Sequence, residues 1–128
     1  MKKLSLLLLS FVLSGVAFAG QAYKCTVKQS YEIEGVEFIG VRNNWSEFVI
    51  DRVSGDIYGV KSGSFMPFGF EVLSAGDRDT AFRALLNDGW QGIDYLVVKE
   101  YVDSKEKPFV YFSEYAGVDV KTGFCVHY

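Results

Sequence analysis

The stretch FVIDRVSGDIYGV, residues 48–60, consists of two apolar runs joined by the polar turn Ser54-Gly55-Asp56. Short runs rich in Val, Ile and Tyr on either side of a Gly-containing turn are typical of a β-hairpin. The stretch therefore predicts two antiparallel strands, and the rest of the chain repeats this kind of pattern.

Strand-like alternation continues on both sides of this hairpin. Tyr23, Cys25 and Val27 alternate with polar residues, which predicts a half-buried strand with Cys25 on its inner face. Residues 93–102 and 109–115 predict a second long hairpin, and the first of these runs begins apolar on both faces, as in a strand covered on both sides. With about seven to nine short strands, the expected fold is all-β, either an antiparallel sandwich or a small barrel.

The segment from Asp79 to Asp88 fits two local structures. Phe82, Leu85 and Leu86 would share one side of a short helix, whereas Phe82, Ala84 and Leu86 would share one face of a strand. We expect a short helix or helical turn here, with the strand as the alternative.

The first nineteen residues carry the three parts of a bacterial secretory signal peptide. Lys2 and Lys3 precede an apolar run, and this run ends in Ala17-Phe18-Ala19, with small residues at the positions that a signal peptidase reads. We expect cleavage after Ala19, a mature single β domain of residues 20–128, and a periplasmic or secreted protein. No later apolar stretch is long enough for a membrane helix, so no membrane span is expected.

The charge of the chain argues against a nucleic acid partner. The full chain has a formal net charge of −3, and the loss of Lys2 and Lys3 with the signal peptide would make the mature chain more acidic still. An acidic chain without a block of basic residues lacks the electrostatic footprint that DNA or RNA requires.

Cys25 and Cys125 are the two cysteines of the chain. In an oxidising compartment, we expect them to form one disulfide. A catalytic dithiol usually has the spacing Cys-x-x-Cys, and a zinc site needs more Cys or His ligands than a chain with one histidine offers. The sequence therefore predicts neither a metal nor a cofactor.

Catalytic residues are not evident from the sequence. His127, the one histidine, lies next to the C-terminus, a poor position for a general base because termini fray. Asp51 lies among apolar residues, where burial could raise its pKa, although a pair with Arg52 or a hydrogen bond into the Ser54-Gly55 turn is the more ordinary explanation. We expect a non-enzymatic protein, and a hydrolase that uses two of the 16 acids stays open as an alternative.

Three aromatic residues beside predicted turns, Trp45, Tyr58 and Trp90, are candidates for a surface that binds a protein or a glycan. The more ordinary role of aromatic side chains in a small β protein is to build its core. The oligomeric state is left open by the sequence.

Two resemblances extend this interpretation. Residues 48–59, 95–101 and 107–109 and the terminal Thr122-Gly-x-Cys125 resemble a pattern found in a family of small, uncharacterised secreted proteins of proteobacteria. This resemblance covers most of the mature chain and implies no activity.

The second resemblance is to the periplasmic inhibitors of c-type lysozymes. Tyr23-Lys24-Cys25 and the sequence Ser-Gly-x-x-Tyr at residues 54–58 match elements of these small β-barrels. The resemblance implies that Ser54 and Tyr58 would enter the lysozyme cleft. A later motif of those inhibitors, which contains Lys-Gly, has no convincing counterpart in this chain.

Overall fold

The structure of the protein is a computed structural model that describes residues 21–40, 47–61, 69–87, 92–114 and 117–128. Within these ranges the chain forms nine β-strands and no helix. The strands are β1 (Ala22–Glu34), β2 (Glu37–Gly40), β3 (Glu47–Asp51), β4 (Ile57–Lys61), β5 (Glu71–Ala75), β6 (Phe82–Asn87), β7 (Ile93–Val98), β8 (Lys107–Glu114) and β9 (Val118–His127). The predicted signal peptide lies outside the described residues, as do Trp45 and Trp90.

All nine strands belong to one antiparallel sheet. Eight of them are neighbours in the order β4-β3-β1-β9-β8-β7-β6-β5, and β2 pairs with β1 alone. The first and last strands of the chain are thus neighbours near the middle of the sheet. Both predicted hairpins, β3–β4 and β7–β8, are confirmed, and so is the all-β fold.

Ring contacts show how strongly the sheet is curled. β1 and β6 are four positions apart in the sheet, which would separate them by about 19 Å if the sheet were flat. The ring centroids of Tyr23 on β1 and Phe82 on β6 nevertheless lie 5.4 Å apart. Phe48 on β3 likewise packs 5.5 Å from Phe109 on β8. The sheet therefore curls into a half-barrel around its inner face.

The core fills this inner face. On β6, β7, β8 and β9, alternate residues point inward, as the period of two in the sequence predicts. The buried side chains that form one packed cluster are Tyr23, Cys25, Val27, Phe48, Ile50, Ile57, Phe70, Phe82, Ala84, Leu96, Val98, Phe109, Tyr111 and Cys125.

The expected short helix within Asp79–Asp88 is wrong. Residues 82–87 form strand β6, which pairs with β5 and β7. Phe82 and Ala84 are buried and Arg83 is exposed, so the period of two prevails because the segment has a strand on each side. The turn that precedes β6 is held by Asp77, which accepts hydrogen bonds from the amides of Asp79 and Thr80.

The predicted disulfide is present. Cys25 and Cys125 are direct partners in the ladder between β1 and β9, and they are 100 residues apart in the chain. Their bond lies in the fully buried part of the core. Among the residues that the structure describes, none belongs to a helix with the length and apolar character needed to cross a membrane.

Candidate functional site

The structure describes two of the four predicted binding residues. Ser54 lies in the turn between β3 and β4 and is exposed, and Tyr58 lies on β4 with 48% of its surface exposed. Val53, the residue before Ser54, is also largely exposed. We call Val53, Ser54 and Tyr58 the turn surface. The other two predicted binding residues, Trp45 and Trp90, lie outside the described residues.

Hydrogen bonds within the turn hold its backbone. The Oδ1 atom of Asp51 accepts hydrogen bonds from the amides of Val53 and Ser54, each at 2.8 Å. The amide of Gly55 donates to the carbonyl of Asp51 at 3.0 Å, and the amide of Asp56 donates to the Ser54 hydroxyl at 3.2 Å. This is an Asx turn, a geometry in which an aspartate replaces a backbone acceptor.

The role of Asp51 is thereby structural. The amide of Ser54, followed by that of Val53, lowers the pKa of Asp51. Burial therefore does not raise this pKa, and of the two ordinary explanations, the hydrogen bond into the turn is confirmed. Asp51 is ionised at neutral pH, as a turn acceptor should be.

The turn is also fixed to the far edge of the sheet. The amide of Phe70, just before β5, donates to the carbonyl of Gly55 at 3.0 Å. Arg52 donates to the carbonyls of Ala75 and Gly76 at 2.8 and 3.1 Å. Because β3 and β5 lie near opposite ends of the sheet order, the turn connects the two margins of the half-barrel.

Gly55 is required by this close approach. Its φ is 77°, and a Cβ atom at this position would lie 2.0 Å from the carbonyl oxygen of Phe70. Gly35, in the turn between β1 and β2, also has a positive φ, 60°, but a Cβ atom there would meet nothing within 4 Å.

These two glycines give a matched test of the contact between the turn and Phe70. Gly55→Ala should lower the free energy of unfolding by roughly 3 kcal/mol, because it adds a backbone clash to an unfavourable φ. Gly35→Ala should cost about 1 kcal/mol, because it adds only the unfavourable φ. Urea unfolding of both variants measures the difference, and equal losses would show that the turn does not pack tightly on Phe70.

A second cluster, which the sequence did not predict, surrounds Glu100 in the turn between β7 and β8. The hydroxyl of Tyr23 donates to Glu100 at 2.5 Å, and Nε2 of His127 lies 2.8 and 3.0 Å from its two oxygens. The guanidinium of Arg52 lies 4.8 Å from the centre of the Tyr23 ring. We call Tyr23, Arg52, Glu100 and His127 the Glu100 cluster.

The pKa values of Tyr23 and Glu100 both move away from neutrality. Burial, followed by the hydrogen bond to Glu100, raises the pKa of Tyr23. Burial alone would raise the pKa of Glu100, but the hydrogen bonds from Tyr23 and His127 and the charges of His127 and Arg52 outweigh it and lower that pKa. At neutral pH the cluster therefore holds a neutral Tyr23 and an ionised Glu100.

The lowered pKa of Glu100 predicts a pH dependence of stability. The ionised form is stabilised in the folded state, so its contribution is complete above the ordinary pKa of about 4.3 and is lost as the pH falls through the lower folded value. Glu100→Gln should cost roughly 1 kcal/mol at pH 7, and this difference from the wild type should shrink below about pH 4.

The control for this measurement is Glu106→Gln, since Glu106 is an exposed residue of the same turn. Asp51 and Asp77, whose pKa values are also lowered, are retained in both variants and contribute equally. A difference between wild type and Glu100→Gln that stays constant from pH 7 to pH 3 would contradict the assignment.

A third polar group lies on the inner face of the sheet. Glu32, Asp119, Ser113 and Asp94 are successive partners across β1, β9, β8 and β7. Asp94 accepts hydrogen bonds from Tyr111 at 2.5 Å and from Ser113 at 2.7 Å. We call Glu32, Asp94, Ser113 and Asp119 the inner row.

Neighbouring side chains partner both aspartates of this row. Asp119 accepts a hydrogen bond from Ser30 and pairs with the buried Lys121. Burial, followed by the charge of Asp94, raises the pKa of Tyr111, so its hydroxyl remains a donor. Asp94 and Asp119 therefore act as acceptors in a hydrogen-bond network at this end of the half-barrel.

One signal in the sequence could have revealed part of these clusters. The period of two places Asp94 on the face of Leu96 and Val98, and Asp119 on the face of Cys125. An acid on an apolar face needs a partner. No such signal exists for Glu100, because it lies in a turn and its partner Tyr23 is 77 residues away.

An open groove of about 490 Å³ adjoins the Glu100 cluster. It lies between the β7–β8 turn and the end of β9, and its lining residues are Asp103, Ser104, Lys105, Lys107, Val126 and His127. The ammonium group of Lys107 donates to the carbonyl of Val102 at 2.5 Å. No group of three potential metal ligands occurs in the described part of the chain.

Comparisons with known proteins leave the family open, since no family model, curated protein or solved structure matches this chain.

Proposed function

We propose that this chain is a non-enzymatic β domain of the periplasm or the extracellular space, and that it binds a protein or a glycan through its turn surface. The signal-like N-terminus and the Cys25–Cys125 disulfide support an oxidising compartment. The observation that carries the proposal is the turn surface itself, in which exposed side chains are presented on a backbone that is already fixed.

A fixed backbone favours binding because little entropy is lost when the partner arrives. The Asx turn of Asp51 and the contacts of Gly55 with Phe70 and of Arg52 with β5 hold the turn from both sides. Val53 and Tyr58 offer apolar surface, and Ser54 offers a hydroxyl. An aromatic residue and small polar groups on a rigid loop are typical of a recognition surface.

The lowered pKa values of three carboxyl groups favour binding over catalysis. A general acid at neutral pH needs a raised carboxyl pKa, whereas the pKa values of Asp51, Asp77 and Glu100 are all lowered. The alternative of a hydrolase would draw on Asp94 and Asp119, whose oxygens are engaged by neighbouring side chains. We therefore prefer the binding function.

Lysozyme inhibition is the more specific form of this proposal. Ser54 and Tyr58, the two residues that the resemblance assigns to the lysozyme cleft, are both exposed. Their side chains belong to one hairpin, so a partner can contact both.

The test is lysis of bacterial cells by a c-type lysozyme in the presence of excess mature protein. We expect inhibition by the wild type and at least a roughly tenfold loss of inhibition for Tyr58→Ala, the size expected when a central aromatic contact is removed. Tyr101→Ala is the matched control, because Tyr101 is also 48% exposed and lies in the β7–β8 turn. Undiminished lysis at excess protein would end the inhibitor proposal.

The glycan alternative has its own assay. Cosedimentation of the mature protein with purified peptidoglycan sacculi should be reduced by Tyr58→Ala and unchanged by Tyr101→Ala. Binding that both variants retain would place the contact outside the turn surface, and the absence of both lysozyme inhibition and sacculus binding would contradict these two forms of the proposal.

A further inference from the structure

The outward side chains of β8 and β9 form a second apolar face. We call this surface the outer strip, and its residues are Val110, Phe112, Val120, Thr122, Phe124 and Val126. The two strands are in register, with Phe112 opposite Val120 and Val110 opposite Thr122. Because the inner sides of the same strands already build the core, the outer strip contributes nothing to closing the half-barrel.

The outer strip keeps apolar surface in contact with solvent. Val110, Phe124 and Val126 are each between 37 and 39% exposed. The strip also continues onto β7, where Tyr95 and Val97 are the partners of Phe112 and Val110. An apolar face of a sheet is generally packed against another element, and a contiguous apolar patch on a protein surface commonly marks an interface.

Charged residues lie at the two ends of the strip, and they have opposite signs. Glu114 is the last residue of β8 and is opposite Val118. Lys24, on β1, is opposite Val126 at the other end of β9. The centre of the strip carries no charged side chain. This distribution is self-complementary if two strips meet with their strands running in opposite directions.

We propose that the outer strip is the interface of a homodimer, in which two copies pack strip against strip with antiparallel strands. A two-fold axis perpendicular to the strands brings Glu114 of one copy to the same end of the interface as Lys24 of the other. A two-fold axis along the strands would instead bring like charges together. A symmetric interface of this kind uses the same patch on both copies, and the two sheets would stack as in a β-sandwich.

The size of the strip sets the strength of this dimer. Ten residues of β9 span about 33 Å, and a width of about three strands gives roughly 500 Å² for each copy. The total of about 1,000 Å² lies at the lower limit for a specific interface. The dimer is therefore weak and reversible. This inference does not depend on the proposed function, since Val53 and Ser54 are on a turn outside the strip.

The first experiment is sedimentation equilibrium of the mature protein over a range of concentrations. The wild type should show a mass that rises toward that of a dimer, and Val110→Asp should raise the dissociation constant at least about tenfold, because it buries a charge in the interface. Leu73→Asp is the control, since Leu73 is 52% exposed on the outer face of β5, away from the strip. It should dimerise like the wild type.

Two results would overturn the dimer. One is a wild type that stays monomeric at every concentration, and the other is a dimer that Val110→Asp leaves unchanged. Val126→Lys is a second interface variant, used if near-ultraviolet circular dichroism shows that Val110→Asp is misfolded.

A charge exchange tests the antiparallel arrangement. Glu114→Lys and Lys24→Glu should each weaken the dimer at low salt, and the double variant should restore it. The stability of each variant is measured in parallel, because Lys24 also pairs with Glu47 of its own chain at 3.5 Å. A double variant that dimerises no better than either single variant would refute the antiparallel arrangement.

Discussion

Cys25 and Cys125 face each other in the ladder between β1 and β9, and their disulfide holds the two ends of the chain together. β1 is the neighbour of β3, and β9 is the neighbour of β8. The disulfide therefore joins the N-terminal side of the sheet, which holds β1, β3 and β4, to the C-terminal side, which holds β5 to β9. A cross-link over 100 residues lowers the conformational entropy of the unfolded chain. The long-range pairing of β1 with β9 therefore loses less entropy on folding.

Both polar clusters are built on the same pairing. His127 is the ladder partner of Tyr23, and only because β1 and β9 are neighbours can both side chains reach Glu100. Further along the same ladder, Lys121 is the partner of Ser30. Both side chains contact Asp119. Along β1, the disulfide thus lies between the Glu100 cluster, which contacts the β7–β8 turn, and the inner row at the opposite end of the core.

Local patterns in the sequence predict the strands well and their arrangement poorly. Alternation identifies β1 and places Cys25 inward, and the Ser54-Gly55-Asp56 turn identifies the β3–β4 hairpin. The helix prediction was wrong because the spacing of Phe82, Leu85 and Leu86 also fits a helix. The segment forms a strand because β6 pairs with β5 on one side and β7 on the other. The order of the strands depends on contacts between residues far apart in sequence, and such contacts leave no periodic signal.

The candidate sites show the same division. The alternative role of Asp51 as a turn acceptor follows from its distance to Ser54 along the chain, so it could be predicted. Glu100 could not, because its contacts with Tyr23 and His127 exist only after the sheet has curled. The central claim is that the β1–β9 pairing, locked by the disulfide, holds this fold together. Urea unfolding of the oxidised protein and of the Cys25→Ala/Cys125→Ala variant tests it most directly: we predict a loss of about 4 kcal/mol in the free energy of unfolding, whereas a loss below about 0.5 kcal/mol, the range of an ordinary surface substitution, would contradict it.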